Sequence, residues 1–262
     1  MGQSSFLFQV HRILSASDHV DTFLARLVHE DVVVKRAKTS FGESLILREA
    51  VALRCCQTVK GCVRLRQVLT EPVPSLVLKF ESGDTLDKLN TDQWSEREFA
   101  RVAYKLVETV DELHRADIIH NDIKPNNIIY DFTSKKLTLI DFANADGVLE
   151  GSPPVFKDIF IGTPMYLAPE AFLGYYSKAS DVYSVGATLY QLFEGVPPFR
   201  PDDLKALFRE KQRPTLVFRR LVDVSIKNVI GGWLNPDPDK RPKLDTLLPV
   251  LKDEARRKLL AA

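Results

Sequence analysis

The chain has 262 residues, with 36 Lys and Arg against 35 Asp and Glu, a formal net charge of +1, and 45% hydrophobic residues. That size and apolar content suit one large domain or two small lobes and exclude a disordered tail. The charge balance gives no sign of nucleic acid or an anionic membrane as the main partner. The cysteines Cys55, Cys56 and Cys62 are odd in number and lack nearby partners for a four-ligand zinc site, so they read as reduced thiols of an intracellular protein. No leader of the basic-then-apolar kind and no run of about 18 apolar residues is present, so no membrane partner is expected. The start MGQSSF approaches an N-myristoylation pattern at Gly2, but Phe6 stands where Ser or Thr is wanted.

Residues 1–80 hold short β-branched runs, EDVVVKRA and PSLVLKF, and one helix-like stretch, ESLILREAVALRCC, which together predict a small sheet carrying one helix. A polar segment, ESGDT, marks the boundary, giving a small lobe over 1–78, a hinge over 79–83 and a larger lobe over 84–262 of a single domain, 1–262. Ser95 and Glu98 form a capping-box pattern. Phe99, Val102, Ala103, Leu106, Val107, Val110 and Leu113 then recur at helical spacing, predicting an amphipathic helix that ends near His114. DIIHNDIKPNNIIYD and KKLTLIDFAN are short apolar strands bracketing polar residues, and Pro125 argues against helix there. SDVYSVGATLYQLFEG is apolar nearly all round and predicts a buried central helix. NPDPDKRP breaks the chain before a last amphipathic helix.

Asp122, Lys124 and Asn127 sit in one loop, and Asp141 opens DFA after the next strand pair. Two carboxylates, an ammonium and an amide at this spacing suit phosphoryl transfer. Hard Mg²⁺ takes oxygen ligands, and phosphate charge must be neutralised while a hydroxyl is held in line. Any one of these residues alone would read as a solvated surface group.

HNDIKPNN, LIDFA, GTPMYLAPE, SDVYSVGATLYQLFEGVPPF and DPDKRP stand in the order and approximate spacing of the eukaryotic-type serine/threonine protein kinases, which the chain resembles over nearly its full length. The resemblance implies an α+β, two-lobed fold with ATP and Mg²⁺ in the cleft and a protein substrate. Asp122 would orient the acceptor hydroxyl and receive its proton, and Lys124 would neutralise the γ-phosphate. Asn127 and Asp141 would hold the metal, with Phe142 packed beneath and His120 supporting the loop. Lys35 of VVVK would grip the α- and β-phosphates and pair with Glu49, for which Glu43 is the rival. Leu45, Val51 and Leu53 mark the packing neighbourhood of Glu49. Leu78 would border the adenine, and backbone groups of Lys79, Phe80 and Glu81 would read its edge. Asp84 is either a ribose contact or a surface residue. Glu170 would pair with Arg241, and Asp181 would hold the catalytic loop.

The chain departs from the family in three places. The glycine positions of the phosphate loop fall on Ser15, Ser17 and Val20, which removes the close backbone approach that glycine allows. Asn121 replaces the usual arginine between His and Asp, and Ile159 stands where many kinases carry an activating phosphosite, so both halves of a phosphate–arginine switch are missing together. The third residue of the DFG pattern is Ala143. Thr163 and Ser152 remain as hydroxyls, Thr163 being read as a contact of Asp122 and Lys124. The leading expectation is an active serine/threonine kinase that does not require activation-loop phosphorylation. A pseudokinase scaffold is the alternative, and a small-molecule kinase of the choline or aminoglycoside type ranks last. The compact length and HNDIK also resemble the kinases of baculoviruses, which implies basic protein substrates and the nucleus or cytoplasm of an infected cell. The sequence leaves dimerisation open.

Overall fold

The computed structural model describes residues 8–149, 151–158, 160–200, 203–219 and 224–257, so Gly2, Phe6 and Ile159 lie outside the described residues. Strands β1 (Gln9–Ala16), β2 (Val20–Leu27), β3 (Glu30–Ala37), β4 (Leu65–Leu69) and β5 (Ser75–Lys79) form one antiparallel sheet in the order β1-β2-β3-β5-β4. Helix α1 (Ser40–Cys55) packs on β3, β4 and β5. The Thr39 side chain caps it by accepting from the Gly42 amide, which satisfies one of the orphan donors of a helix start.

Ile46, Glu49, Ala50 and Leu53 are the buried face of α1. Val51 is not part of the Glu49 neighbourhood, because it is 61% exposed. Two residues along a helix is a turn of about 200°, which carries Val51 to the opposite side. Leu53 is buried as expected, and Leu45 borders the cleft.

The chain crosses from β5 to β6 (Asp84–Thr85), which already belongs to a second sheet with β8 (Ile128–Asp131) and β9 (Lys136–Leu139) in the order β6-β8-β9. A second tie joins the lobes where Val63 N–H donates to Leu139 O at 3.0 Å and Leu139 N–H to Gly61 O at 2.7 Å. Helix α2 (Glu96–Arg115) buries all seven apolar positions named from its spacing. Ser95 Oγ caps it through the Glu98 amide at 3.2 Å. Glu98 does not complete the capping box but binds Arg101, Tyr130 and Lys135, a choice made by distant neighbours rather than by helical spacing.

Helix α3 (Lys178–Glu194) is buried along most of its surface and packs against α2 and α5 (Val224–Trp233). A Cβ built at Gly186 would lie 3.0 Å from Trp233 Cβ, so the glycine sets how closely α3 and α5 approach. Short strands β7 (Ile118–Ile119) and β10 (Asp146–Gly147) pair, as do β11 (Val155–Phe156) and β12 (Tyr175–Tyr176). Helices α4 (Leu204–Gln212) and α6 (Leu248–Arg257) complete the larger lobe. The architecture is the two-lobed α+β fold anticipated from the sequence. No helix among the described residues is long and apolar enough to cross a membrane, and all three cysteines are free.

Arg241 clamps this lobe. Its Nη1 and Nη2 donate to the two carboxylate oxygens of Glu170 at 2.6 and 2.8 Å, and further bonds run to the carbonyls of Ala179 and Asn235. The Arg241 side chain is 1% exposed. Removing one partner of such a buried pair costs about 3 to 5 kcal/mol. Arg241→Ala is therefore expected to lower the denaturation midpoint strongly while leaving ATP affinity close to the parent's; equal midpoints would contradict this.

Candidate active site

Between the lobes lies a cleft of about 640 Å³, within the range of small-molecule sites. Strand alternation on β3 aims Lys35 into it. The Lys35 ammonium donates to both Glu49 oxygens at 2.7 and 2.8 Å and to Asp141 Oδ1 at 2.7 Å. Burial opposes its charge, but Asp141 and Glu49 together hold the ammonium above the ordinary lysine range. The Lys35 cation holds the Asp141 carboxyl below the usual carboxylate range, against the effect of burial. Glu49 also accepts from the Phe142 amide at 3.2 Å. Glu43, the sequence rival, is exposed on the first turn of α1.

Across the cleft, Asn121 and Asp141 adopt positive φ, 64° and 67°, a sparsely populated region for residues other than glycine. The Asp181 carboxylate from α3 holds the first turn in that shape, accepting from His120 N–H at 2.7 Å and Asn121 N–H at 2.9 Å. His120 is fully buried. Its Nε2 donates to Ile140 O at 3.1 Å, its Nδ1 accepts from the Asp122 amide at 3.3 Å, and its ring meets Phe142 edge-on at 4.7 Å. With both ring nitrogens occupied by backbone, His120 supports the loop and is not placed to act as a base.

Asp122 is the hub of the loop. Its Oδ2 accepts from Lys124 Nζ at 2.8 Å and Asn127 Nδ2 at 3.1 Å, and its Oδ1 accepts from Thr163 Oγ1 at 2.9 Å. Lys124 also donates to Thr163 Oγ1 at 2.6 Å. Gly162 makes the approach possible: its φ is +98°, and a built Cβ would fall 2.8 Å from Asn121 O. The Asn127 amide nitrogen is engaged by Asp122 O and Oδ2, so its oxygen remains as a donor on the cleft wall beside Asp141. An amide oxygen and a carboxylate are the hard donors that Mg²⁺ takes, so these residues fit the ion.

Ser15, Ser17 and Val20 line the cleft at the β1–β2 turn. Ser17 Oγ accepts from the amides of His19 and Val20 at 3.3 and 3.0 Å, and the Ser17 amide donates to Val20 O at 3.1 Å. Three amides of the turn are thus engaged within it, and Lys38 braces it from β3–α1 by donating to Ser17 O at 2.8 Å. Leu78, Lys79, Phe80, Glu81 and Asp84 line the opposite end. The Lys79 amide donates to Arg64 O at 2.9 Å, which leaves its carbonyl as the backbone group of that residue for a base edge.

The sequence did not disclose the partners of Asn121. Its Nδ2 donates to Asn144 O at 2.9 Å and Asp146 Oδ2 at 2.8 Å. Asp146 also pairs with Lys157 and with Arg48 of α1, the latter at 3.4 Å. These four come from separate segments with no shared period, so no pattern could have announced them.

A nucleotide-sized cleft, a lysine bridging two carboxylates and an aspartate held by a lysine and an amide are the parts that phosphoryl transfer calls for. Residues 20–250 match the protein kinase domain, and the chain belongs to that family. It is 34% identical over 138 residues to serine/threonine-protein kinase YPK1 of Saccharomyces cerevisiae, covering 52% of this chain and 20% of the relative. With gad8 of Schizosaccharomyces pombe, a serine/threonine-protein kinase, it shares 33% over 138 residues, 52% of this chain and 24% of the relative. With calcium-dependent protein kinase 20 of Oryza sativa it shares 31% over 218 residues, 79% of this chain and 39% of the relative. The chain thus spans well under half the length of these relatives. They are yeast and plant proteins and lend no support to the closer likeness to baculovirus kinases.

Lys35→Met should leave Glu49 and Asp141 without their shared cation, abolish any thermal shift with Mg·ATP and lower phosphotransfer at least about 100-fold. A retained shift would contradict this. Because the Asp141 pKa is depressed in the folded state, its contribution is present above the ordinary aspartate value and lost as pH falls through the depressed one. The stability advantage of the parent over Asp141→Asn at pH 7 should therefore begin to shrink as pH falls below about 4 and vanish only below the depressed value; urea unfolding at a series of pH values measures it.

Proposed function

We propose that the protein is a serine/threonine protein kinase, transferring the γ-phosphoryl group of ATP to a Ser or Thr hydroxyl of a protein substrate. The observation that carries this is Lys35 joined at once to Glu49 and Asp141, which sets the phosphate-binding lysine and the metal-binding aspartate in one geometry. Asp122 Oδ1 would receive the acceptor's proton as its oxygen bonds to the γ-phosphorus and the bond to ADP breaks. Lys124, within reach of Asp122 and Thr163, would balance charge on the transferring group. Mg²⁺ held by Asn127 and Asp141 would neutralise the phosphates. Lys124 and the GTPMYLAPE segment favour aliphatic hydroxyls over tyrosine, and the names of the relatives agree with that. Asp84 and Asp87 at the cleft wall favour a basic substrate, and three free thiols suit a reducing cytoplasm or nucleus.

Activity is proposed to need no phosphate on the activation segment. Asp146 supplies a fixed negative charge on which Asn121 of the catalytic loop, Arg48 of α1 and Lys157 of the activation segment converge. Burial pulls the Lys157 ammonium down from its ordinary range, and Asp146 opposes that shift. One carboxylate thus links the segments carrying Asp122, Glu49 and the activation strand β11, a task that phosphorylation performs elsewhere by adding charge. The second reading, a binding scaffold, draws on the β1–β2 turn whose amides are engaged.

Labelled phosphate from [γ-³²P]ATP and Mg²⁺ should enter a basic Ser-containing protein with the parent and be lost with Asp122→Asn and Asp141→Asn. No incorporation together with no thermal shift on Mg·ATP would favour the scaffold. Phosphatase treatment should leave the rate unchanged, whereas Asp146→Ala should lower it about tenfold or more; a phosphatase-sensitive rate would refute the independence from phosphorylation.

A further inference from the structure

Lys211 sits on α4 with a fully buried side chain and, among the described residues, no carboxylate paired with it. Its ammonium donates to Met165 O at 3.0 Å and Leu167 O at 2.8 Å. The remaining directions meet aromatic rings, with Tyr183, Phe199 and Phe172 centroids at 4.9, 5.2 and 5.9 Å. Among the described residues the charged neighbours are Glu170 and Arg241, already paired with each other, and the Tyr183 ring carries a phenol with no hydrogen-bond partner.

A lone ammonium so placed is a poor way to stabilise a lobe. Desolvation of a buried charge is expensive, and apolar replacements of similar volume are often neutral or stabilising. The two carbonyls it holds flank Tyr166, three residues beyond Thr163, and Thr163 bonds Asp122 and Lys124. Beside this loop opens a surface recess of about 450 Å³ lined by Met165, Tyr166, Gln191, Pro197, Arg200 and Leu207, the last from the same helix as Lys211. The tether therefore sets the height of a loop that begins at the acceptor site and ends at a recess able to take a substrate side chain.

We propose that Lys211 is a positioning residue for the protein substrate: its ammonium fixes the Met165–Leu167 backbone relative to Asp122, at a cost to the stability of the lobe. The proposal rests on the kinase reading for its catalytic consequence but not for its structural one. Burial pushes the Lys211 pKa down to about 7. Below that value the charged tether is present, and above it the amine is neutral and the cation–π and charge-assisted contacts weaken. Between about pH 7 and the ordinary lysine value the folded chain binds fewer protons than the unfolded one, so this residue's penalty on stability is largest at low pH and fades as pH rises.

The test compares the full chain with Lys211→Met at pH 6, 7 and 8, using an arginine-flanked serine peptide, Mg·ATP and hydrogen–deuterium exchange. Lys211→Met should raise the KM for peptide about tenfold with the KM for ATP unchanged, melt no lower than the parent at pH 6, and speed exchange at the Tyr166 and Leu167 amides. In the parent alone, peptide kcat/KM should fall from pH 6 to pH 8, and those two amides should lose protection relative to the α2 amides. Equal peptide KM values, a melting point that drops with activity, or unchanged protection at Tyr166 and Leu167 would overturn the proposal. A parent that transfers no phosphate sinks the kinase reading instead, and the exchange and melting arms then decide the tether by themselves.

Discussion

The Lys35 ammonium is shared by Glu49 and Asp141, and most of the site depends on that sharing. β3, α1 and the segment after β9 belong to different layers, and a single cation between two carboxylates fixes all three to within hydrogen-bond reach. Neither carboxylate would tolerate the other nearby without it, because like charges in a partly dry cleft repel strongly. The cost of burying Lys35 is offset by two partners rather than one. α1 is thereby held close to the cleft, and the Glu49 contact to the Phe142 amide carries the constraint into the larger lobe.

The catalytic loop shows the complementary device, strain held by fixed dipoles. Positive φ at Asn121 and Asp141 persists because the buried Asp181, on the first turn of α3, accepts from the consecutive amides of His120 and Asn121, while His120 pins the chain to Ile140. Such local strain clusters where side chains must be aimed rather than merely packed. α3, apolar along most of its length, brings this one buried carboxylate to the underside of the loop. Gly162 then lets the Thr163 hydroxyl close over Asp122.

Buried charge recurs in the larger lobe: Glu170 with Arg241, and Lys211 with two carbonyls. The first pair is matched, bidentate and structural. The second cation has no carboxylate partner among the described residues and faces aromatic rings instead. Asp146 works differently again, near the surface, as a fixed anion that collects donors from three segments.

Local pattern made some features legible. The spacing of Phe99 to Leu113 defined α2 to within a residue or two, and the apolar run after Ser180 defined the central helix. Pro125 was misjudged as excluding helix, because it opens a short 3-10 helix, Pro125–Asn127, at a first position that needs no N–H. Asp122, Lys124, Asn127 and Asp141 stood out because four unlike polar groups were set between short apolar strands. Val51 was misjudged because apolar character alone does not say which side of α1 is covered.

What the sequence by itself determined is therefore what periodicity and composition can carry: the two lobes, the helices with one apolar face, and the chemical inventory of the cleft. The tertiary structure alone decided which charges meet. Asp146 with Lys157 and Arg48, and Lys211 with the carbonyls of Met165 and Leu167, are contacts between segments far apart in the chain. A lysine in FREKQRP reads as solvated in any local window. Only the packing of α4 against the loop after Thr163 removes its water and gives it backbone oxygen and aromatic faces instead.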